Sequence, residues 1–493
     1  MNRIVSRAAH WAAVAALPLA ACNLAPEYQR PETPTPAAFK EAGDWKAAAP
    51  ADGLPKGEWW KVLGDPVLDG LEVKLGSANQ DLKSAYYRFL QARAALGIAA
   101  ADTMPQISGN ASATRQRGSA TIANSLKQSD FSNGLLSANF SYEIDVWGRV
   151  RNSVEAAKDS AQASAGDLAT TDLDLRAELA QDYFTLRGFD TQQRILDATV
   201  TAFAAALDLT GRRHEGGVQP AADVAQAEGQ LETAKTQASD NGLRRAQTEH
   251  AIAILIGEPP SEFSLPPRPL EESPPPPIDA GIPSQLIERR PDVAAAERRV
   301  ASANAGIGVA RAAYFPVFNL DGLIGLQSAT PQKFVQAPSS IWSLGPSAAV
   351  YLFDGGRIES MSDQARAVYD QTVADYRQTV LNANGEVEDN LVALRQLDHE
   401  AGTQKAAVNA TQRALDQSIL RYTAGLVTYI EVVESQNLAL AAQLSAADIY
   451  TRRMTSTVLL VRALGGGWDA GTGLGLEQAA AAGTGAPNQQ AER

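Results

Sequence analysis

The chain has 493 residues, a formal charge of −13 and a pI near 5.0. That balance argues against a nucleic-acid partner, because phosphate binding needs clustered Lys and Arg. Aromatics are sparse at 6% while Ala is abundant, which suits long helices packed through small residues better than a thick aromatic core. The residues show no metal-ligand cluster and no nucleophile constellation. His10, His214, His250 and His399 are scattered, and His214-Glu215 lacks the second His of a zinc helix. Gly465-Gly466-Gly467 follows a helical run and lacks the Lys-Ser/Thr of a phosphate loop, so it reads as a helix terminator and the chain as a non-enzyme.

Residues 1–21 read as an export signal, with Arg3 and Arg7 ahead of an apolar stretch from Ala8 to Leu19. The stretch is too short for a stable membrane helix. It ends in Leu19-Ala20-Ala21-Cys22, which resembles the bacterial lipobox, and Cys22 is the only cysteine. The reading is that Cys22 becomes a lipid-modified N-terminus. Asn23 follows it where Asp would hold the chain at the inner membrane, so the outer membrane is expected. Residues 22–75 then hold a Pro-rich extended segment (Pro26, Pro31, Pro34, Pro36, Pro50, Pro55) and a first helix beginning near Val67 after Gly64-Asp65-Pro66.

The next segments occur twice. Asn79 to Met104 is helical by composition and stops at Pro105; its counterpart runs from Arg290-Pro291-Asp292 to Phe315-Pro316. A shift of 211 residues aligns Asp81 with Asp292, Arg88 with Arg299, Gly97 with Gly308 and Pro105 with Pro316. Past each Pro the period falls to two, which marks strands with one apolar and one polar face. Ile107, Gly109, Ala111 and Ala113 alternate with polar residues, as do Leu136, Ala138, Phe140, Tyr142 and Ile144. The second copy offers Phe318, Leu320, Gly322, Ile324 and Leu326, then Trp342, Leu344, Ala348, Val350 and Leu352. Hairpins over 106–145 and 317–353 follow, giving four strands per chain.

From Arg149 to Gly216 there is no Pro, and Leu168, Leu175, Leu179 and Leu186 recur on one helical face. Val373, Val380, Val387 and Leu391 repeat the pattern. About 65 residues at 1.5 Å each would span roughly 100 Å; two or three stacked shorter helices are the alternative. The helices break at two related places, near Gly217 and Gly425, where an offset of 208 aligns Arg213 with Arg421 and Gly257 with Gly465. The repeats are therefore 76–257 and 290–465, joined by a Pro-rich linker at 258–289 and followed by a tail at 466–493 expected to be disordered.

Four amphipathic strands are too few for a membrane barrel, which needs about eight or more. Either they belong to a soluble sheet or several chains share one barrel, and three chains would give twelve strands.

At this point the chain resembles the TolC-type outer-membrane channels, in their OprM/NodT-like lipoprotein branch. The resemblance rests on Trp59-Trp60 with Gly64-Asp65-Pro66, on Tyr142 to Arg149, on Arg289-Arg290-Pro291-Asp292-Val293, on Tyr351 to Arg357 and on the two tips. It implies a mainly α fold with a β-hairpin portion. In such a homotrimer a twelve-stranded outer-membrane barrel continues into a periplasmic helical barrel. It also implies a role as passive exit duct of a tripartite RND-type efflux pump, with a periplasmic adaptor and an inner-membrane pump as partners. A type I secretion duct is the alternative use; a lipid-anchored coiled-coil scaffold without a pore is the alternative of another class. No cofactor is expected beyond lipid on Cys22.

Mapped on the resemblance, the tips form the periplasmic mouth, and Gly217, Val218, Pro220, Gly425, Leu426 and Val427 meet the adaptor. Glu431 and Glu434 match the acidic rings that constrict the mouth, although the family often has Asp there. Asp223 is the first-copy equivalent of Glu431. Arg421, like Arg213, could latch a neighbouring helix or simply lie on the surface, and Tyr422 could hydrogen-bond across the gap.

Overall fold

Helix α1 (Pro66–Ala78) starts as the Gly64-Asp65-Pro66 sequence dictates: the Asp65 carboxylate accepts from the Val67 N–H at 2.9 Å, and Pro66 fills the first turn. The computed structural model describes residues 23–33, 36, 38–42, 58–117, 130–270, 275–276 and 289–466. Cys22 with the leader before it, the later part of the 258–289 linker and the tail beyond Gly466 lie outside the described residues.

The elements then follow in duplicate. Helix α2 (Gln80–Ala101), strands β1 (Gln106–Arg117) and β2 (Asp130–Ile144), and helices α3 (Arg149–Glu215) and α4 (Ala221–Leu255) make the first copy. The second has α5 (Pro291–Ala312), β3 (Val317–Ser328), β4 (Ser340–Ala349), α6 (Arg357–Thr423) and α7 (Tyr429–Ala463). Helices α3 and α6 are each 67 residues long, and α4 and α7 each 35. The alternative of stacked shorter helices is thus corrected: with no Pro inside either run, nothing removes a rung of the hydrogen-bond ladder.

The chain divides into two units. The first takes in residues up to Glu32, Arg88–Ser164 and Ala295–Arg377. Its strands form one antiparallel sheet in the order β1-β2-β3-β4, rather than two separate hairpins. Strand β2 pairs with β3 through registers such as Ser141 with Asp321 and Phe140 with Gly322. Directly paired residues share a face, so Ile107, Phe140, Leu344 and Trp342 stand on one side and Ser108, Asn139 and Ser343 on the other. Ile107, Ile324, Leu344 and Trp342 remain exposed. The second hairpin is shorter than its sequence reading: β4 ends at Ala349, and Val350 to Phe353 leave the sheet. The last register pair is Val317 with Ala349, so the four residues beyond it have no partner strand.

The same unit explains the family motifs physically. The Trp147 ring stacks on Phe315 at 4.6 Å, and its indole N–H donates to the Pro316 carbonyl at 2.9 Å. Asp145 caps α3 through the N–H groups of Val150 and Arg151. Asp354 does the same for α6 through Ile358 at 2.7 Å, and that backbone hydrogen bond lowers its pKa. The N-terminal strap lies on the helices: Asn23 accepts from Asn152 at 2.8 Å, Pro26 from Asn304 at 2.8 Å, and Tyr28 donates to Glu297 at 3.0 Å. Gly308 lets the strap approach, since a Cβ there would come within 2.7 Å of the Ala25 Cβ.

The second unit, from Thr33–Tyr87, Ala165–Ala294 and Gln378 onward, holds the main core. Trp59, Leu68, Leu75, Leu179, Tyr183, Leu186, Ile252, Leu391 and Leu460 are buried together. Fully burying each such side chain is worth about 1.5–3 kcal/mol. The Arg289-Arg290-Pro291-Asp292 motif closes this core: buried Arg290 forks onto Asp292 at 3.0 and 2.7 Å, reaches Glu386 at 2.8 Å, and donates to the Ala463 carbonyl at the C-terminus of α7. Arg187 and Arg245 share Asp190, and both also hold linker carbonyls, of Pro266 and Leu265.

Candidate functional site: the paired hairpin tips

Both tips lie in the second unit and are built alike. Gly217 has φ 74° and Gly425 φ 73°, left-handed values that Gly adopts without strain. The N–H of Val218 returns to the Arg213 carbonyl at 2.9 Å, and that of Gly217 to His214 at 2.9 Å. In the second tip Leu426 returns to Arg421 at 2.9 Å and Gly425 to Tyr422 at 3.0 Å. These crossed bonds satisfy the last carbonyls of α3 and α6. The chain then turns through Pro220 or Thr428 into α4 or α7, neither of which caps the helix with a side chain. Val218 and Leu426 are left pointing into solvent, 76% and 72% exposed. Val427 instead turns inward, half-buried against the cluster beneath.

That cluster consists of Ala227, Tyr422, Tyr429, Val432 and Val433. The rings of Tyr422 and Tyr429 lie 5.5 Å apart. Burial pushes the Tyr429 hydroxyl up to about 12, with Tyr422 and Asp223 adding to the shift. The Tyr422 hydroxyl is buried and has no hydrogen-bond partner among the described residues. Tyr429 was not singled out in the sequence, although it stands one heptad after Tyr422, a spacing that could have found it.

The charged residues sort themselves. Arg421 bonds to Glu431 at 2.5 Å, which ties it to the return helix of its own hairpin. Arg213 crosses between hairpins, with its guanidinium 4.9 Å from the Tyr422 ring centroid and a bond to the Thr423 carbonyl. Asp223 accepts from Gln219 at 2.6 Å. Glu431 and Glu434 fall within the first two turns of α7; Glu431 is half-buried and paired, Glu434 exposed. Carboxylates at a helix N-terminus are favoured by its dipole.

Comparison with known proteins gives this geometry its family. The outer membrane efflux protein family matches residues 74–258 and again 282–466, the two segments beginning 208 residues apart. The chain belongs to the outer membrane efflux protein family. Among its relatives, the pyoverdine export outer membrane protein OpmQ of Pseudomonas aeruginosa is 32% identical over 467 residues, covering 92% of this chain and 96% of its own. The outer membrane protein OprJ of the same organism is also 32% identical, over 93% and 96%. The solved outer-membrane channel OprN superposes with a TM-score of 0.83 at 28% identity, over 91% of this chain and all of that one. The TolC-type fold read from the sequence is therefore correct, and this outer membrane efflux protein is an outer-membrane channel component with a large periplasmic helical portion. Among the described residues no helix is long and apolar enough to cross a membrane.

Proposed function

We propose that the protein is the exit duct of an RND-type tripartite efflux pump, working as a homotrimer with a periplasmic adaptor and an inner-membrane pump. The observation that carries the reading is the four-stranded sheet: one face is apolar and exposed, and among the described residues β1 and β4 have no partner on their outer edges. Open edges are not tolerated in lipid. Three copies joined β4 to β1 would close a twelve-stranded barrel and remove every edge. Leu352 and Phe353, 95% and 91% exposed just after β4, would be covered in the same assembly.

In this reading Gly217, Val218, Pro220, Gly425, Leu426 and Val427 form the adaptor-facing ends. Glu431 and Glu434, with Arg421, Tyr422 and Asp223, line the closed mouth, where carboxylate rings favour cations. Conduction is passive and needs no catalytic residue, and lipid on Cys22 anchors each chain. The test is conductance of the purified full chain in planar bilayers together with its cross-linked mass. Trimers that conduct are expected; a monomer without conductance would leave the poreless scaffold as the better reading.

A further inference from the structure

The polar face of the sheet carries almost no charge. Along β1 it shows Ser108, Asn110 and Ser112, and opposite them Asn139 and Ser137. Among the described strand residues only two formal charges stand on it, Glu143 and Asp321. Glu143 is neutralised by a two-pronged bond from Arg149, at 2.8 and 2.6 Å. Asp321 has no cationic partner among the described residues. It is exposed, in the middle of β3, and neighbouring strands hold it on both sides. Ser141 of β2 donates to one carboxylate oxygen at 2.9 Å, and Ser347 of β4 to the other at 3.0 Å. The remaining Arg side chains of the sheet, Arg115 and Arg117, sit at odd positions of β1 on the opposite face. Two hydroxyl donors, one on each carboxylate oxygen, fix the direction in which the carboxylate points. Asn could accept the same two hydroxyl bonds in an otherwise neutral polar wall, so what the acid adds at this position is its charge.

We propose that Asp321 is the cation-selecting residue of the barrel lumen, a charge-selective element separate from the acidic residues of the hairpin tips. The inference rests on the trimeric-channel reading. Twelve strands about 4.8 Å apart and tilted about 40° enclose a cylinder roughly 24 Å across. Three symmetry-related carboxylates would then stand roughly 8 Å from its axis, about one Debye length at physiological salt. Every solute passing that level is within their field at 0.1 M salt and largely outside it at 1 M, where the Debye length is about 3 Å. The favoured cargo is cationic or zwitterionic with an exposed ammonium, and small inorganic cations serve as probes.

The experiment measures reversal potentials across a KCl gradient centred near 0.1 M, with full-length trimers in planar bilayers. The channels carry Glu431→Gln and Glu434→Gln, which remove the tips' own carboxylates. A cation preference should survive in that background. Asp321→Asn should abolish it, and the whole difference should vanish in 1 M KCl. A second variant guards against a folding effect: Gly345 lies directly opposite Asp321 on β4, and a Cβ there meets nothing within 4 Å. Gly345→Lys should bring an ammonium beside the carboxylate and cancel the preference without removing Asp321. Reversal potentials unchanged by both substitutions overturn the inference while leaving the channel intact. Trimers that fail to conduct at all, in wild type as well, overturn the channel reading and this inference with it.

Discussion

The guanidinium of Arg213 lies over the ring of Tyr422, 4.9 Å from its centroid, and so joins the first hairpin tip to the second. The same Arg also donates to the Thr423 carbonyl, one residue further along. A cation–π contact of this exposure is worth about 0.5–1 kcal/mol, too little to affect global unfolding but enough to change how often a tip opens. Arg213→Ala should leave the melting temperature within a degree or so while speeding hydrogen exchange at residues 216–220 and 424–428. Exchange at the wild-type rate would mean the contact does not hold the tips together.

Tyr422→Phe asks whether the buried tip hydroxyl finds a partner only between copies. It has no hydrogen-bond partner among the described residues, and an unsatisfied buried hydroxyl costs about 1–3 kcal/mol. If the assembled mouth offers it no partner either, Tyr422→Phe should be neutral or mildly stabilising and should leave leakage unchanged. Increased leakage of the closed channel would reveal a bond made only between copies.

Neutralising the α7 carboxylates tests the mouth directly. Glu431→Ala with Glu434→Ala should raise conductance through the closed channel. The Arg421–Glu431 pair is itself half exposed, so its loss should cost under about 1 kcal/mol of stability. The expected signature is altered gating at nearly constant melting temperature, read by bilayer recording and thermal unfolding side by side.

Two classes of glycine should respond differently to Ala. At Gly217 and Gly425 a Cβ meets nothing within 4 Å, so the penalty is only that of a left-handed backbone, about 1–2 kcal/mol. At Gly465, with φ 89°, a Cβ would stand 2.1 Å from the Arg289 carbonyl. Gly465→Ala should therefore lower the yield of folded protein far more than either tip substitution, measurable in extracted membranes.

Burial pushes the Glu72 carboxyl up to about 8, against the opposing pull of Arg176 3.3 Å away. A folded-state value above the unfolded one means the folded chain binds the proton more tightly. Stability should therefore fall as pH rises from about 4.5 to about 8, where the cited shift lies. Glu72→Gln should flatten that part of the profile. Arg176 keeps Asp172 at 2.9 Å and is not left alone. A wild-type melting temperature that rises over this range would contradict the assignment.

Sequence legibility followed the range of the interactions. The duplication, the helices and the tips were readable because Gly425 and Gly217, the Pro-free runs and the period-two stretches are local signals. The pairing of β2 with β3 was not, since it joins Ser141 to Asp321 across 180 residues and no neighbouring residue encodes it. Val350 and Leu352 continue the strand alternation without a strand to pair with. Tyr422 was read by its hydroxyl, whereas its ring decides its place. Asp321 lies among the polar positions of an alternating strand, where the period marks the apolar face and does not distinguish one polar residue from another.

The two halves differ in length by three residues, and the difference falls among the strands, between Pro316 and Arg357. A residue added inside α3 or α6 would rotate everything beyond it by about 100°, whereas one added to the β3–β4 connection at 329–339 only lengthens a turn. That connection is the natural place to carry a foreign peptide. In the exit-duct reading proposed above this connection faces outward, so a short epitope inserted there is expected to label intact cells, and no labelling would contradict that orientation.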